Sequence, residues 1–280
     1  MKKNNLKLSI IINHYRTPEV LKMCLDSVIK NVKDVSYEII VTDSGTQDIT
    51  VELLKKYPEV IFLEERRDIG FSKSVNKGVK EASGEFMFVI NADILIKKVG
   101  DVEKMLSYYE NNSDTGILSP KLLNIDGSVQ QSFFREYTPL AVIAKRTSFK
   151  NTRFGKNAIK RMEYDNQKPS EAFEVEWLMG SSLLFSRDRL EKVGGVLMDE
   201  RYFMYFEDSD LCRRIRNAGF KNIYYPKVVM DHHHKRESNS GGGVFDIFTN
   251  WLTRVHIKSY IKFLWKWNIE VPVKKIFKNS

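Results

Sequence analysis

The first ninety residues alternate between short apolar runs and segments with helical spacing. Leu8–Asn13 (LSIIIN) is apolar and β-rich. From Pro18 to Ile29, apolar residues recur at Val20, Leu21, Leu25, Val28 and Ile29, which predicts a helix with Thr17 as N-cap and Pro18 in its first position. Tyr37–Thr42, Val60–Glu64 and Glu85–Ile90 repeat the strand signal, and Ile49–Lys56 and Ser72–Ala82 the helical one. Near-continuous apolar strands alternating with helices predict a mostly parallel sheet covered on both faces. Such sheets bind ligands beyond the carboxyl ends of their strands. The polar clusters fall there: Asn13–Arg16, Asp43–Asp48, Asp68–Gly70 and Asn91–Asp93.

The second half is less regular. Residues 116–135 read as strands around a turn at Asp126-Gly127. Residues 138–170 read as a mobile or helical insertion, Val175–Phe185 as a strand reaching Gly180, and 207–218 as a helix opened by acids and closed at Gly219. Ile223–Pro226 and Val228–Met230 lead into His232–His234, and Ser238–Gly243 is a linker.

Composition narrows the class. The 280 residues are 42% hydrophobic and 29% charged, which excludes collagen-like and disordered chains. Two cysteines, Cys24 and Cys212, make no disulfide framework and suit reduced thiols. The first residues lack a signal-peptide core, and no long uncharged apolar run predicts a membrane span. Segments 145–161 and 251–280 contribute +7 and +6, so with a total of +9 the rest nets −4. Two basic patches on a mildly acidic body suit an anionic membrane surface or a phosphate-bearing ligand. Nucleic acid is disfavoured by the acidic body and by the lack of any nucleic-acid-binding signature.

Three places carry chemistry. Asn91-Ala92-Asp93 puts a carboxylate at a strand end, suited to Mg²⁺ or Mn²⁺ bridged to a diphosphate, although an Asp there also suits a plain turn. Glu207 and Asp208 open a helix whose Leu211 and Ile215 point inward together, which fixes Asp208 as a general base requires. At most one or two of the three histidines 232–234 can face one metal. Neither glycine-rich phosphate cradle occurs, so a nucleotide must be held by side chains and metal.

The order of segments resembles family 2 glycosyltransferases of the GT-A fold, rhamnosyltransferase-like branch. The matching stretches include SIIINHYRTPEVLKMCLDSV, EIIVTDSGTQD, DIGFSKSVNKGV, ASGEFMFVINAD, VEWLMGSSLLFSRDRLEKVGG, DERYFMYFEDSDLCRRIRNAGF and YPKVVMDHHH, spanning about residues 6–235. The resemblance implies an inverting, metal-dependent transferase for cell-surface polysaccharide synthesis. It implies that Asn13, Tyr15, Asp43, Asp68, Gly70, Asn76, Asn91 and Asp93 line the donor nucleotide. Asp93 and His232 would bind Mg²⁺ or Mn²⁺, with Asn91 in place of the first Asp of the usual motif. Asp208 would be the base, and Trp177, Gly180 and Glu207 would line the sugar and acceptor. Leu197–Glu200 departs from the usual Phe-Asp-Glu, read as a packing difference. The implied donor is dTDP-rhamnose, with a UDP-hexose or UDP-N-acetylhexosamine next. The acceptor is a saccharide or a lipid-linked saccharide. A catalytically inactive sugar-nucleotide or glycan-binding module is the rival reading.

On this reading residues 1–237 form the GT-A domain, with 138–170 an acceptor-side basic insertion. Residues 238–280 form a linker and a basic amphipathic helical tail. In the tail, Arg254, Lys258, Lys262 and Lys266 recur every four residues, with Ile257, Tyr260, Ile261, Leu264 and Trp267 opposite, which suits equally a membrane interface and a helix packed on the domain with its lysines in water. Phe248, Trp251, Leu252 and Val255 fall on the basic side, which predicts a bend or two short helices. The expected location is the cytoplasm, either free or peripheral at the inner face of the cell membrane.

Overall fold

Every apolar run of the first half forms a strand, buried on both faces except at the sheet edge, where Ile61 is exposed. In the computed structural model, which describes residues 6–137, 141, 144, 148–233 and 250–277, strands β1 (Leu8–His14), β2 (Tyr37–Asp43), β3 (Val60–Leu63) and β4 (Phe86–Asn91) pair in parallel in the order β3-β2-β1-β4. Their side chains alternate between two cores. Ile10, Ile12, Val41, Phe88 and Ile90 point to one, with Leu21, Leu25 and Val28 of helix α1 (Pro18–Asn31). Ile11, Ile40, Met87 and Val89 point to the other, with Val75 and Val79 of helix α3 (Phe71–Glu81). Helix α3 lies close to the sheet because Gly78 has no side chain. A Cβ there would come within 2.6 Å of Ile11 and 2.7 Å of Thr42.

Beyond β4 the sheet becomes mixed. The strands β5 (Ile94–Ile96), β6 (Thr115–Leu123), β8 (Phe173–Val175), β10 (Ser182–Ser186) and β11 (Lys221–His232) complete it. Strand β10 runs antiparallel to β4 and β6, β6 is parallel to β11, and β5 and β8 are antiparallel to β11. Strands β7 (Phe133–Phe134) and β9 (Trp177–Leu178) pair separately as a short ribbon. The remaining helices are α2 (Asp48–Leu54), α4 (Asp101–Asn111), α5 (Arg153–Met162), α6 (Arg187–Lys192), α7 (Glu207–Asn217) and α8 (Trp251–Phe277).

Four local expectations are corrected. Thr17 flanks α1 without capping it, because its hydroxyl donates to the Tyr15 carbonyl. The single strand expected over 175–185 is three pieces, β8, β9 and β10, broken around Glu176 and Gly180. The two runs ending at Met230 are one strand, β11, whose pairing with β6 slips between Tyr225 and Val229. The tail from Trp251 is one continuous helix, which packs on the domain through Val255, Ser259, Phe263, Lys266 and Trp267. Lys266 therefore leaves the solvent stripe expected of it. The residue is 7% exposed, and its ammonium lies 2.7 Å from both Asp199 and Asp210. The basic segment holds α5, as the helical alternative expected. Phe248, His234 and the 238–243 linker lie outside the described residues.

Candidate active site

The strand ends gather the polar residues at one edge. Asn13 and Asn91 stand level on β1 and β4, and His14 stands level with Asp43 on β2. Asp43 is 1% exposed. Its Oδ1 lies 2.8 Å from His14 Nδ1, and His14 Nε2 accepts from the Thr17 amide at 2.9 Å. With Nε2 accepting, Nδ1 donates to Asp43, so the imidazole orients the carboxylate. The second oxygen, Oδ2, is buried with no hydrogen-bond partner. A carboxylate oxygen in that state has capacity for a ligand N–H. His14 carries this arrangement and was missed as a site residue, although it lies inside the Asn13–Arg16 cluster.

The Asp68 loop sits beside it. Asp68 Oδ1 accepts from the Gly70 amide at 3.1 Å and from the Ser44 hydroxyl at 3.3 Å, and Ser44 Oγ accepts from the Ile69 amide. Gly70 is left-handed (φ 80), and a Cβ there would meet Phe203 at 2.6 Å, so only glycine fits. Tyr15 is exposed at the rim, beneath the Arg16 guanidinium. Asn76 is committed elsewhere. Its amide donates to the Met198 and Glu200 oxygens and accepts from the Met198 amide, so it fastens segment 198–200 to α3.

Pairing of β5 with β11 puts His232 level with Ile94, which brings His232 Nε2 to 3.2 Å from Asp93 Oδ1. Gln130 Oε1, 2.7 Å from His232 Nδ1, accepts from it, so the Nε2 lone pair faces the carboxylate oxygen. Two acceptors converging in this way suit a divalent cation between imidazole and carboxylate. Among the described residues no third His, Cys, Asp or Glu joins them. The rest of a coordination sphere would fall to phosphate oxygens and water. His233 contributes only its backbone amide, to the Asp93 carbonyl.

The residues leading into β10 join these groups to α7. The Asn91 amide donates to the Ser181 carbonyl, and the neighbouring Gly180 amide donates to Asp208 Oδ2 at 3.0 Å. Asp208 Oδ1 accepts from the Ser209 amide at 2.7 Å. A Cβ on Gly180 would stand 3.2 Å from the Asp208 Cβ, so glycine permits this approach. Burial pushes the Asp208 carboxyl up to about 6, while the Gly180 and Ser209 amides and the Trp177 indole hold it down. Burial and the adjacent Asp208 charge push Glu207 well above the usual carboxylate range, and its Oε2 is buried with no hydrogen-bond partner. Of two adjacent buried carboxyls, the one that accepts backbone amides ionises first. Of the pair, Asp208 is therefore the one that ionises more readily. Trp177 stacks on Phe134 at 4.4 Å and meets Tyr137 at a tilt with ring centres 4.8 Å apart, and Tyr137 rests on Phe206. That aromatic wall leads from β9 to the turn before Asp208.

The profile of "Glycosyl transferase family 2" matches residues 9–192. The N-acetylglucosaminyl-diphospho-decaprenol L-rhamnosyltransferase of Mycobacterium tuberculosis (strain CDC 1551 / Oshkosh) is 29% identical over 208 residues, 70% of this chain and 66% of that protein. The chain thus spans about two thirds of that relative's length. The rhamnosyltransferase WbbL of Escherichia coli (strain K12) is 24% identical over 264 residues, covering 91% of each chain. Among solved structures, the mannosyltransferase PcManGT from Pyrobaculum calidifontis, in complex with GDP-Man and Mn²⁺, superposes with a TM-score of 0.56 at 18% identity. It covers 84% of this chain and 59% of that one. At that identity the likeness shows the fold, which is GT-A.

Proposed function

The chain belongs to glycosyl transferase family 2, and from that membership we propose that it transfers a sugar from a nucleotide-diphosphate donor to an acceptor hydroxyl with inversion. The observation that carries this reading is Asp208. It is a buried carboxylate, poised near 6, held by two backbone amides beside the strand ends that would receive the nucleotide. A group titrating near the working pH is suited to proton abstraction. Asp208 takes the proton of the acceptor hydroxyl. The oxygen forms its bond to the anomeric carbon as the bond to the diphosphate breaks on the opposite side, and the nucleoside diphosphate leaves with the electron pair.

The remaining residues bind and orient. Asp43 Oδ2, fixed by His14, accepts from the base of the nucleotide. Asn13, Tyr15, Asp68, Gly70 and Asn91 line the donor. Asn76 acts at one remove by holding segment 198–200. Trp177, Gly180 and Glu207 bound the sugar and acceptor side. Asp93 and His232 would hold Mg²⁺ or Mn²⁺, which when bound supplies positive charge to the leaving diphosphate.

The donor we favour is dTDP-rhamnose, because two relatives are named for rhamnosyl transfer. The proposed acceptor is a lipid-diphosphate-linked saccharide. The Mycobacterium relative is named for such an acceptor, and this chain carries basic segments. The outer face of α8 supports work at an anionic membrane surface. There Trp251, Ile261 and Trp265 are exposed beside Arg254 and Lys258, and basic–aromatic helical faces seat in the headgroup region. No described helix is long and apolar enough to cross a membrane.

The test is donor turnover with dTDP-rhamnose, UDP-glucose, UDP-N-acetylglucosamine and GDP-mannose against a short-chain polyprenyl-diphosphate saccharide. Release of dTDP with Mn²⁺ present is expected. Release from a UDP-sugar instead would move the donor and keep the reaction. Binding of nucleotide without turnover of any donor would favour the inactive-module reading.

A further inference from the structure

The inner face of α8 grips the segment that presents Asp208. We propose that Lys266 and Trp267 of this helix are positioning residues for the base, acting through Asp210. The proposal rests on Asp208 being the base.

Asp210 lies in the first turn of α7, two residues beyond Asp208, and is fully buried. Arg214, from the same helix, donates to its Oδ2 at 3.0 Å. Lys266 Nζ and Trp267 Nε1, both from α8, reach its Oδ1 at 2.7 and 3.0 Å. Lys266 also binds Asp199 at 2.7 Å, so one buried ammonium ties together two carboxylates on either side of the Asp208 turn. The same helix holds the chain between them. Ser259 Oγ donates to the Met204 carbonyl at 2.8 Å, and Lys262 Nζ donates to the Arg201 carbonyl at 2.6 Å. His256, Tyr260 and Phe263 pack on Phe206 with ring centres 5.0, 5.3 and 5.5 Å away.

That grip is needed because the turn is strained. Tyr205 and Phe206 both sit at φ 70, a left-handed conformation that side-chain-bearing residues rarely adopt. Such a conformation persists only where its surroundings over-determine it, and here much of that surrounding is α8. Without α8, Phe206 keeps Tyr137 but loses the three rings of α8, and Asp210 keeps only Arg214 of the partners named above. The first turn of α7 is then free to shift, and Asp208 with it. The Gly180 amide fixes one oxygen of Asp208, but the direction of the helix comes from the turn. A misplacement of about 1 Å at a reacting group costs on the order of a hundredfold in rate.

The experiment compares the full chain with Lys266→Met, Lys266→Arg, Trp267→Phe and, as a control on the exposed side of α1, Lys30→Ser. Two readouts are taken well below the unfolding transition: donor kcat and KM, and hydrogen exchange of the peptide spanning 203–211. Lys266→Met is expected to lower kcat by at least about tenfold, leave donor KM within twofold, and speed exchange in 203–211 while the central strands keep their protection. Lys266→Arg restores most of kcat. Trp267→Phe, which keeps an aromatic ring and removes the indole N–H, lowers kcat by about two- to fivefold and carries the test if Lys266→Met does not fold. Lys30→Ser changes neither readout. Faster exchange with kcat within twofold of the parent would make α8 a purely structural brace and overturn the proposal. Unchanged exchange would overturn it as well. If the parent turns over no donor, the loss falls on the functional reading, and the exchange data alone decide the grip.

Discussion

Replacing Asp208 with asparagine separates the two jobs of this carboxylate, because burial that suits it to catalysis also costs stability. Its carboxyl is raised from the ordinary 3.8 to about 6, chiefly by burial. At about 1.36 kcal/mol per unit, that rise corresponds to about 3 kcal/mol. The native state holds the proton more tightly than the unfolded chain. The penalty is therefore absent below the unfolded value, grows as pH rises towards 6, and is fully present above it. Asparagine carries no charge at any pH, so Asp208→Asn removes the penalty. It also turns an NH₂ towards one of the two amides, Gly180 or Ser209, that the carboxylate accepts from, a loss of about 1–2 kcal/mol. The variant is then about 1–2 kcal/mol more stable than the parent at pH 8 and less stable by a similar amount near pH 4. Urea unfolding at a series of pH values reads this crossover. In the same variant transfer falls by about 10²–10⁴-fold, while nucleotide affinity stays within twofold. Stability curves that run parallel across the pH range would refute the burial argument. Full turnover would refute the assignment of the base.

Other consequences follow from the same geometry. In the parent, kcat/KM for the donor should rise with pH and level off above about 6, as Asp208 loses its proton; a flat profile over that range contradicts its role. Gly180→Ala places a methyl 3.2 Å from the Asp208 Cβ, and should cut kcat by about tenfold or more with nucleotide affinity retained, measured by steady-state kinetics and calorimetry. His232→Ala removes half of the cation pair, and Gln130→Ala releases the imidazole. Each should weaken Mn²⁺ affinity by about 10–100-fold, read by titration of Mn²⁺ in the presence of nucleotide. Gly70→Ala puts a Cβ 2.6 Å from Phe203 at a left-handed position, and should lower unfolding free energy by about 1–3 kcal/mol in urea.

Much of the fold was legible because burial on both faces writes itself as unbroken apolar runs. β1, β2, β3 and β4 fell within a residue or two of their expected bounds. Strand order beyond β4 was not legible, since an antiparallel β10 between β4 and β6 depends on long-range pairing that leaves no local period. The site divides in the same way. Asp43, Asp93 and Asp208 show as acids at strand ends or a helix start. The partners that make them chemical are remote in sequence: His14 for Asp43, Gln130 for His232, and Gly180 for Asp208. Asn76 lies in a stretch that resembles the family, yet its amide is spent on Met198, which only the packing of α3 on segment 198–200 reveals. The tail misled for a related reason. A lysine every fourth residue predicts a solvent stripe, but Asp199 and Asp210 draw Lys266 inward, and the helix packs through the side expected to be split. Leu197–Glu200, taken for a packing difference, supplies one of those two acids.

The most direct test of the account is calorimetric titration of dTDP, UDP and GDP into the protein, each with and without Mn²⁺, repeated on Asp93→Ala. The account predicts that one nucleotide, dTDP in our reading, binds tightly only with Mn²⁺, and that Asp93→Ala abolishes the metal dependence. Failure of all three to bind, or equal binding with and without the metal, would contradict it.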